Sequence, residues 1–74
     1  MKEELMNILS ELRPEVNFEQ ETALIDDGIL DSFDIITLIS EINEEFDVVI
    51  SADKIVPENF NSVDGMLELI ERLK

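Results

Sequence analysis

The sequence has 74 residues and contains no cysteine, histidine, tryptophan or tyrosine. Without cysteine there is no disulfide framework, no thiolate nucleophile and no thiolate metal site. Without histidine the commonest general base and the commonest neutral metal ligand are both missing. Basic residues are scarce: 5 Lys+Arg stand against 19 Asp+Glu, a formal net charge of -14. Such a chain cannot displace the counterions of a polyanion, which argues against nucleic acid as a partner, and it is repelled by anionic membrane surfaces. No apolar run approaches the roughly 20 residues of a membrane-spanning helix, so membrane insertion is not expected. The acidic start, Met1-Lys2-Glu3-Glu4-Leu5, is unlike a secretory signal and sets an expectation of a cytoplasmic protein. The only glycines, Gly28 and Gly65, are too few and too far apart for a phosphate-cradling loop. An enzyme working alone is not expected.

At 45% hydrophobic residues the chain has enough apolar surface to fold. Residues 1–74 are expected to form one small domain with a radius of gyration of roughly 11 Å, leaving room for one thin core. The apolar spacing is helical nearly throughout. Leu5, Ile8, Leu9 and Leu12 form one stripe of a helix from about Lys2 to Arg13, which Pro14 ends. From Glu15 to Leu30 no period is sustained, and the spacing predicts a long loop anchored by Val16, Phe18, Leu24, Ile25, Ile29 and Leu30. A second helix begins near Asp31-Ser32 and closes at Asp47. Phe33, Ile36, Ile39, Ile42 and Phe46 follow its 3- and 4-residue steps, and Ile35 and Leu38 widen the apolar face, so the helix is expected to be buried along more than one side. Val48-Val49-Ile50 favours extended backbone but is too short to make a sheet. Ser51 is expected to cap a short turn running through Lys54 and Ile55, which Pro57 stops. A last helix is predicted to start at the N-cap Ser62 and to bury Val63, Met66, Leu67, Ile70 and Leu73; Gly65 weakens it by up to about 1 kcal/mol relative to Ala. The expected fold is all-α, a small four-helix bundle of three main helices and one short one, with a long first loop.

Charge is unevenly spread. From Pro14 through Asp53 there are 12 acidic residues and no basic one. One reading is a solvated surface that keeps a small protein soluble. The other is a docking face for basic patches, since complementary potentials speed encounter and reject wrong partners.

The acids of the first loop do not make a calcium site. With Gly28 at the sixth position of a calcium loop, Ala23 and Ile25 fall where oxygen ligands are required. No metal site is expected, and no carboxylate pair sits in a recognisable hydrolytic constellation. What remains is Asp31-Ser32-Phe33 at the start of the second helix. Read from the residues alone, Ser32 is an N-cap, and Phe33 and Ile36 are either core residues or exposed contacts for partners.

The run Asp26-Asp27-Gly28-Ile29-Leu30-Asp31-Ser32-Phe33-Asp34 resembles the phosphopantetheine attachment site of acyl and peptidyl carrier proteins. Glu44-Glu45-Phe46-Asp47, Ile50 and Ser62-Val63 resemble the family's later landmarks, so the likeness covers essentially the whole chain. The wording Gly28 to Phe33 is similar to stand-alone aminoacyl carriers, D-alanyl carrier proteins among them. Thr37, Ser40 and Asn43 stand where carriers of fatty-acid synthesis usually show further acids and a Met. The resemblance implies that Ser32 carries a 4'-phosphopantetheine arm donated by coenzyme A, whose thiol holds acyl or aminoacyl groups as thioesters. It implies that Asp31 helps a phosphopantetheinyl transferase engage the site. Phe33, Asp34, Ile36, Thr37, Ser40, Glu44 and Glu45 would face partner enzymes. Those partners would be the transferase, a loading ligase and a downstream acyltransferase or synthase, served by a monomer that is a carrier and not an enzyme. The alternative is an acidic, non-catalytic adaptor that binds basic partners without a prosthetic group.

Overall fold

The computed structural model describes all residues, Met1–Lys74. Four helices and no strand are present: α1 Lys2–Leu12, α2 Ser32–Phe46, α3 Pro57–Phe60 and α4 Val63–Leu73, with one 3-10 turn at Ala52–Lys54. The radius of gyration is 11.0 Å. This is the all-α bundle of three main helices and one short one, with a long first connection.

Helix α1 buries Leu5, Ile8 and Leu9. Its N-terminal ammonium lies 3.0 Å from the Glu4 carboxylate, which holds that carboxyl below its ordinary range. The helix ends one residue before the expected limit. Arg13 leaves the helical region at φ -140°, ψ 83°, because the ring of Pro14 excludes α-backbone from the residue before it. This small departure frees the Arg13 side chain to leave the face of α1.

Helix α2 is buried along one side only, not along more than one as its wide apolar face suggests. Ile35, Leu38, Ile42 and Phe46 are buried, whereas Phe33 is 80% and Ile36 68% exposed. At 3.6 residues per turn, Phe33 lies about 160° and Ile36 about 100° around the helix from Ile35. Both frames have 3- and 4-residue steps, and packing selects the one with four large residues on a single line. Asp47 ends α2 in left-handed backbone, φ 55°, with its N–H donated to the Asn43 carbonyl. Beyond it Val48 and Ile50 are buried and Val49 is exposed, an extended segment fixed by the Ile50 N–H donating to Asn43 Oδ1 at 3.1 Å.

The sequence misplaces the short helix. The turn after Ser51 ends at Lys54, and Pro57 opens α3 instead of stopping a helix. Its locked φ and missing N–H suit the first helical position, where that donor has no intrahelical acceptor. Ser62 caps α4 as expected, its Oγ accepting from the Gly65 N–H at 3.1 Å. The buried face of α4 is Val63, Met66, Leu69 and Ile70, with Leu67 and Leu73 at its margins. Leu69 thus takes the inward position expected of Leu67.

The first loop is part of the core. Phe18, Leu24 and Leu30 are buried in the same apolar cluster as the helices. Gly28 turns the chain at φ 71°, a conformation that costs glycine least. Together these features bring the loop back to the start of α2.

Candidate functional site

Asp31 precedes α2 with extended backbone, φ -97° and ψ -178°. Its Oδ1 accepts from the Asp34 N–H at 2.9 Å, and Asp34 Oδ2 accepts from the Asp31 N–H at 3.2 Å. This reciprocal capping box satisfies two donors that the helix start would otherwise orphan. The cap is therefore Asp31, and Ser32 is the first helical residue. The sequence reading of Ser32 as an N-cap is corrected: its hydroxyl takes no part in the cap and its side chain is exposed. The N–H groups of Ser32 and Phe33 precede the first intrahelical bond, from Ile35 N–H to the Asp31 carbonyl.

Asp34 does not face outward as expected. It is the one buried charged residue. Nε and Nη2 of Arg13 donate to its Oδ2 at 3.1 and 2.6 Å, the same oxygen that accepts from Asp31. Burial pushes the Asp34 carboxyl upward, but the Arg13 hydrogen bonds, the Asp31 N–H and the nearby positive charge outweigh it, leaving the carboxyl below its ordinary value. The Arg13 guanidinium is held above its own ordinary value, chiefly by the bond to Asp34. Arg13 Nη2 also lies 4.0 Å from Asp31 Oδ2, and Nη1 lies 3.6 Å from Glu15. An ion pair at the hinge of α1 and the loop thus backs the start of α2.

Ser32 borders an open apolar groove of about 330 Å³. Ile25 and Leu30 of the first loop form one wall, Ile35 and Ile36 of α2 another, and Ile55 to Pro57 with Phe60 the third. Asn61, at the α3–α4 junction, ties the loop wall in place by accepting the N–H groups of Ile25 and Asp26 at 2.9 and 3.1 Å. No three acidic side chains converge as a metal site would require, and no helix is long and apolar enough to cross a membrane.

The other expected partner residues on α2, Phe33, Ile36, Thr37, Ser40, Glu44 and Glu45, are all exposed, and Glu41 joins them. Sequence reasoning missed Arg13, Asn61 and the half-exposed Ile55. Arg13 carried a signal, since it is the base immediately before the long acidic stretch. Asn61 carried none, being one polar residue between two helices.

The family model of the phosphopantetheine attachment site matches residues 3–70. No curated protein matches the chain. The family match spans α1, the long loop, α2 and all but the last turn of α4, so it takes in the capping box, the exposed serine and the groove together. The chain therefore belongs to the phosphopantetheine-attachment family of acyl and peptidyl carrier proteins, a carrier whose prosthetic group is covalently attached 4'-phosphopantetheine.

Proposed function

We propose that Ser32 is the attachment residue and that the chain presents acyl or aminoacyl groups, as thioesters on its arm, to a succession of partner enzymes. The observation that supports this reading most is the setting of Ser32 among the hydroxyls. Ser62 is engaged as the cap of α4 and Ser51 donates to Asp53. Ser10 and Ser40 lie within helices, away from any helix start. Ser32 alone combines exposure, the first turn of a long helix and the edge of the apolar groove.

The residues fit the group. A phosphodiester on Ser32 Oγ would meet the unpaired first-turn N–H groups and the positive end of the helix dipole. The apolar groove gives the arm a surface to lie on. When bound, the arm supplies the thiol that a chain without cysteine lacks. The chain has no histidine to activate the Ser32 hydroxyl, so the transfer from coenzyme A is the work of a separate phosphopantetheinyl transferase, for which exposed Asp31 is the nearest recognition element. A loading ligase and a downstream acyltransferase or synthase dock on the exposed face of α2. There Phe33 and Ile36 offer apolar contacts beside Thr37 and Ser40, with Glu44 and Glu45 toward the far end. The partners are accordingly basic around an apolar pocket, and the carrier serves them as a monomer in the cytoplasm.

The test is the intact mass after incubation with coenzyme A and a broad-specificity transferase. The wild type should gain the mass of one arm, Ser32→Ala none, and Ser40→Ala one. Because Asp31 holds the cap, Ser32→Ala should fold and melt close to the wild type. A wild type that stays unmodified, or an arm on another residue, overturns the proposal and leaves the acidic-adaptor reading. Loading of the modified protein against a panel of amino and fatty acids then identifies the cargo class.

A further inference from the structure

We propose that Arg13 is a positioning residue for arm attachment, which turns Asp34 inward, fixes the backbone that carries Ser32 and offsets the negative charge that attachment adds. The inference rests on the reading of Ser32 as the attachment residue. One carboxylate oxygen, Asp34 Oδ2, joins three places at once: Arg13 at the end of α1, the Asp31 N–H before Ser32, and the first turn of α2. The two Arg13 bonds span 21 residues of sequence. They are thus a tertiary restraint on a segment otherwise held by its own local cap.

The charge balance points the same way. Asp26, Asp27, Asp31 and Asp34 fall within nine residues of sequence leading into α2, and Glu15 sits beside Arg13. No Lys or Arg occurs between Pro14 and Asp53. Arg13 is the only basic side chain paired with any of these acids. A phosphodiester on Ser32 adds a further anion within the range of unscreened interaction, roughly 10 Å at 0.1 M salt. The planar guanidinium meets Asp34 with two nitrogens while its Nη2 lies 4.0 Å from Asp31, a reach that a lysine ammonium cannot reproduce. With Arg13 removed, the Asp34 carboxylate loses its inward partner. The cap then holds two uncompensated acids on either side of the serine.

The experiment has two arms. In the first, steady-state transfer from coenzyme A by a purified transferase is compared for the wild type, Arg13→Gln and Arg13→Lys, well below their melting temperatures. The exposed docking face is unchanged in these variants, so Arg13→Gln should lower kcat by roughly tenfold or more with little change in KM, and Arg13→Lys should recover part of the loss. In the second arm, Ser32→Glu places a carboxylate at the attachment position without any transferase. Its effect on melting temperature is measured in the wild-type and Arg13→Gln backgrounds; the helix dipole acts alike in both, so the change should be less favourable without Arg13 than with it. Kinetics of Arg13→Gln equal to the wild type, or a loss confined to KM, overturns the positioning role. Additive melting effects overturn the charge role. A wild type never modified on Ser32 overturns the attachment reading itself, while the Ser32→Glu cycle still decides whether Arg13 compensates charge there. Should Arg13→Gln not fold, Arg13→Lys carries both measurements.

Discussion

The carboxamide of Asn61 and the Ile25–Asp26 segment hold each other across 35 residues of sequence. Asn61 Oδ1 accepts the N–H groups of Ile25 at 2.9 Å and Asp26 at 3.1 Å, and its Nδ2 donates to Asp26 Oδ2 at 3.1 Å. The Asn61 carbonyl accepts the Leu24 N–H at 3.0 Å. One residue between α3 and α4 thus replaces a stretch of secondary structure, pinning a loop that has no ladder of its own. Ile25 belongs to the wall of the groove beside Ser32, so the clamp reaches the candidate site.

Asn61→Ala should therefore cost about 2 kcal/mol, since it leaves two backbone donors without an acceptor and the Ile25 donor is partly buried. Equilibrium urea unfolding reads the change as a lower midpoint at unchanged slope. Asn61→Asp retains an acceptor but sets a carboxylate against Asp26. Its loss should shrink when salt is added, while that of Asn61→Ala should not. Equal salt dependence of the two variants would show that the contact with Asp26 is not the operative one.

Gly65→Ala inverts the expectation from helix propensity. Alanine at an interior helical position gains about 1 kcal/mol over glycine, and less in a first turn. At Gly65, however, a Cβ would stand 3.0 Å from the Glu58 carbonyl oxygen and 3.4 Å from that of Asn59. Both are backbone atoms of α3 and cannot move aside as a side-chain tip can. Overpacking of this kind costs about 1–3 kcal/mol, so the variant should melt below the wild type. A rise in melting temperature would show that α3 shifts freely against α4.

The same residue marks the limit of what the sequence discloses. Ser62 could be read as the α4 cap because an N-cap is a local device, one side chain answering an N–H three residues on. Gly65 could be read only as a local weakness, because the backbone it admits belongs to another helix. The buried side of α2 was ambiguous for a related reason: Phe33–Ile36–Ile39 and Ile35–Leu38–Ile42 obey the same period, and only what packs against the helix, α1 foremost, decides between them. Pro57 was ambiguous because proline both ends helices and begins them. At the site, Asp31-Ser32-Phe33 was legible as a contiguous run of characteristic residues. The inward turn of Asp34 was not, since it depends on Arg13 folding back from 21 residues away.

Asp34 gives the stability a recognisable acid limb. Its carboxyl lies below its ordinary value in the folded chain, against about 3.9 when unfolded. Between these two values the unfolded state binds more protons, so the bridge contributes fully above the unfolded pKa and is lost as pH falls through the folded one. Asp34→Asn removes that dependence. The difference in unfolding free energy between wild type and variant should be constant near neutrality and shrink progressively as the pH falls below roughly 4. A difference that persists unchanged into that range would mean that the bond to Arg13 does not depend on the charge of Asp34.

Salt should act on folding and on docking with opposite signs. With 19 acids and 5 bases, the compact state concentrates like charge, and self-repulsion lowers its stability. Added monovalent salt shortens the screening length from about 10 Å at 0.1 M to about 3 Å at 1 M. The melting temperature should therefore rise by several degrees over that range. In the proposed docking mode the α2 face meets a basic partner through the same unscreened field, so the KM of the transferase for this carrier should increase across the same titration. A single titration followed by both readouts separates the two effects. A melting temperature indifferent to salt would show that the acids lie far enough apart to be screened already. A KM indifferent to salt would show that Phe33 and Ile36, rather than Glu41, Glu44 and Glu45, carry the docking.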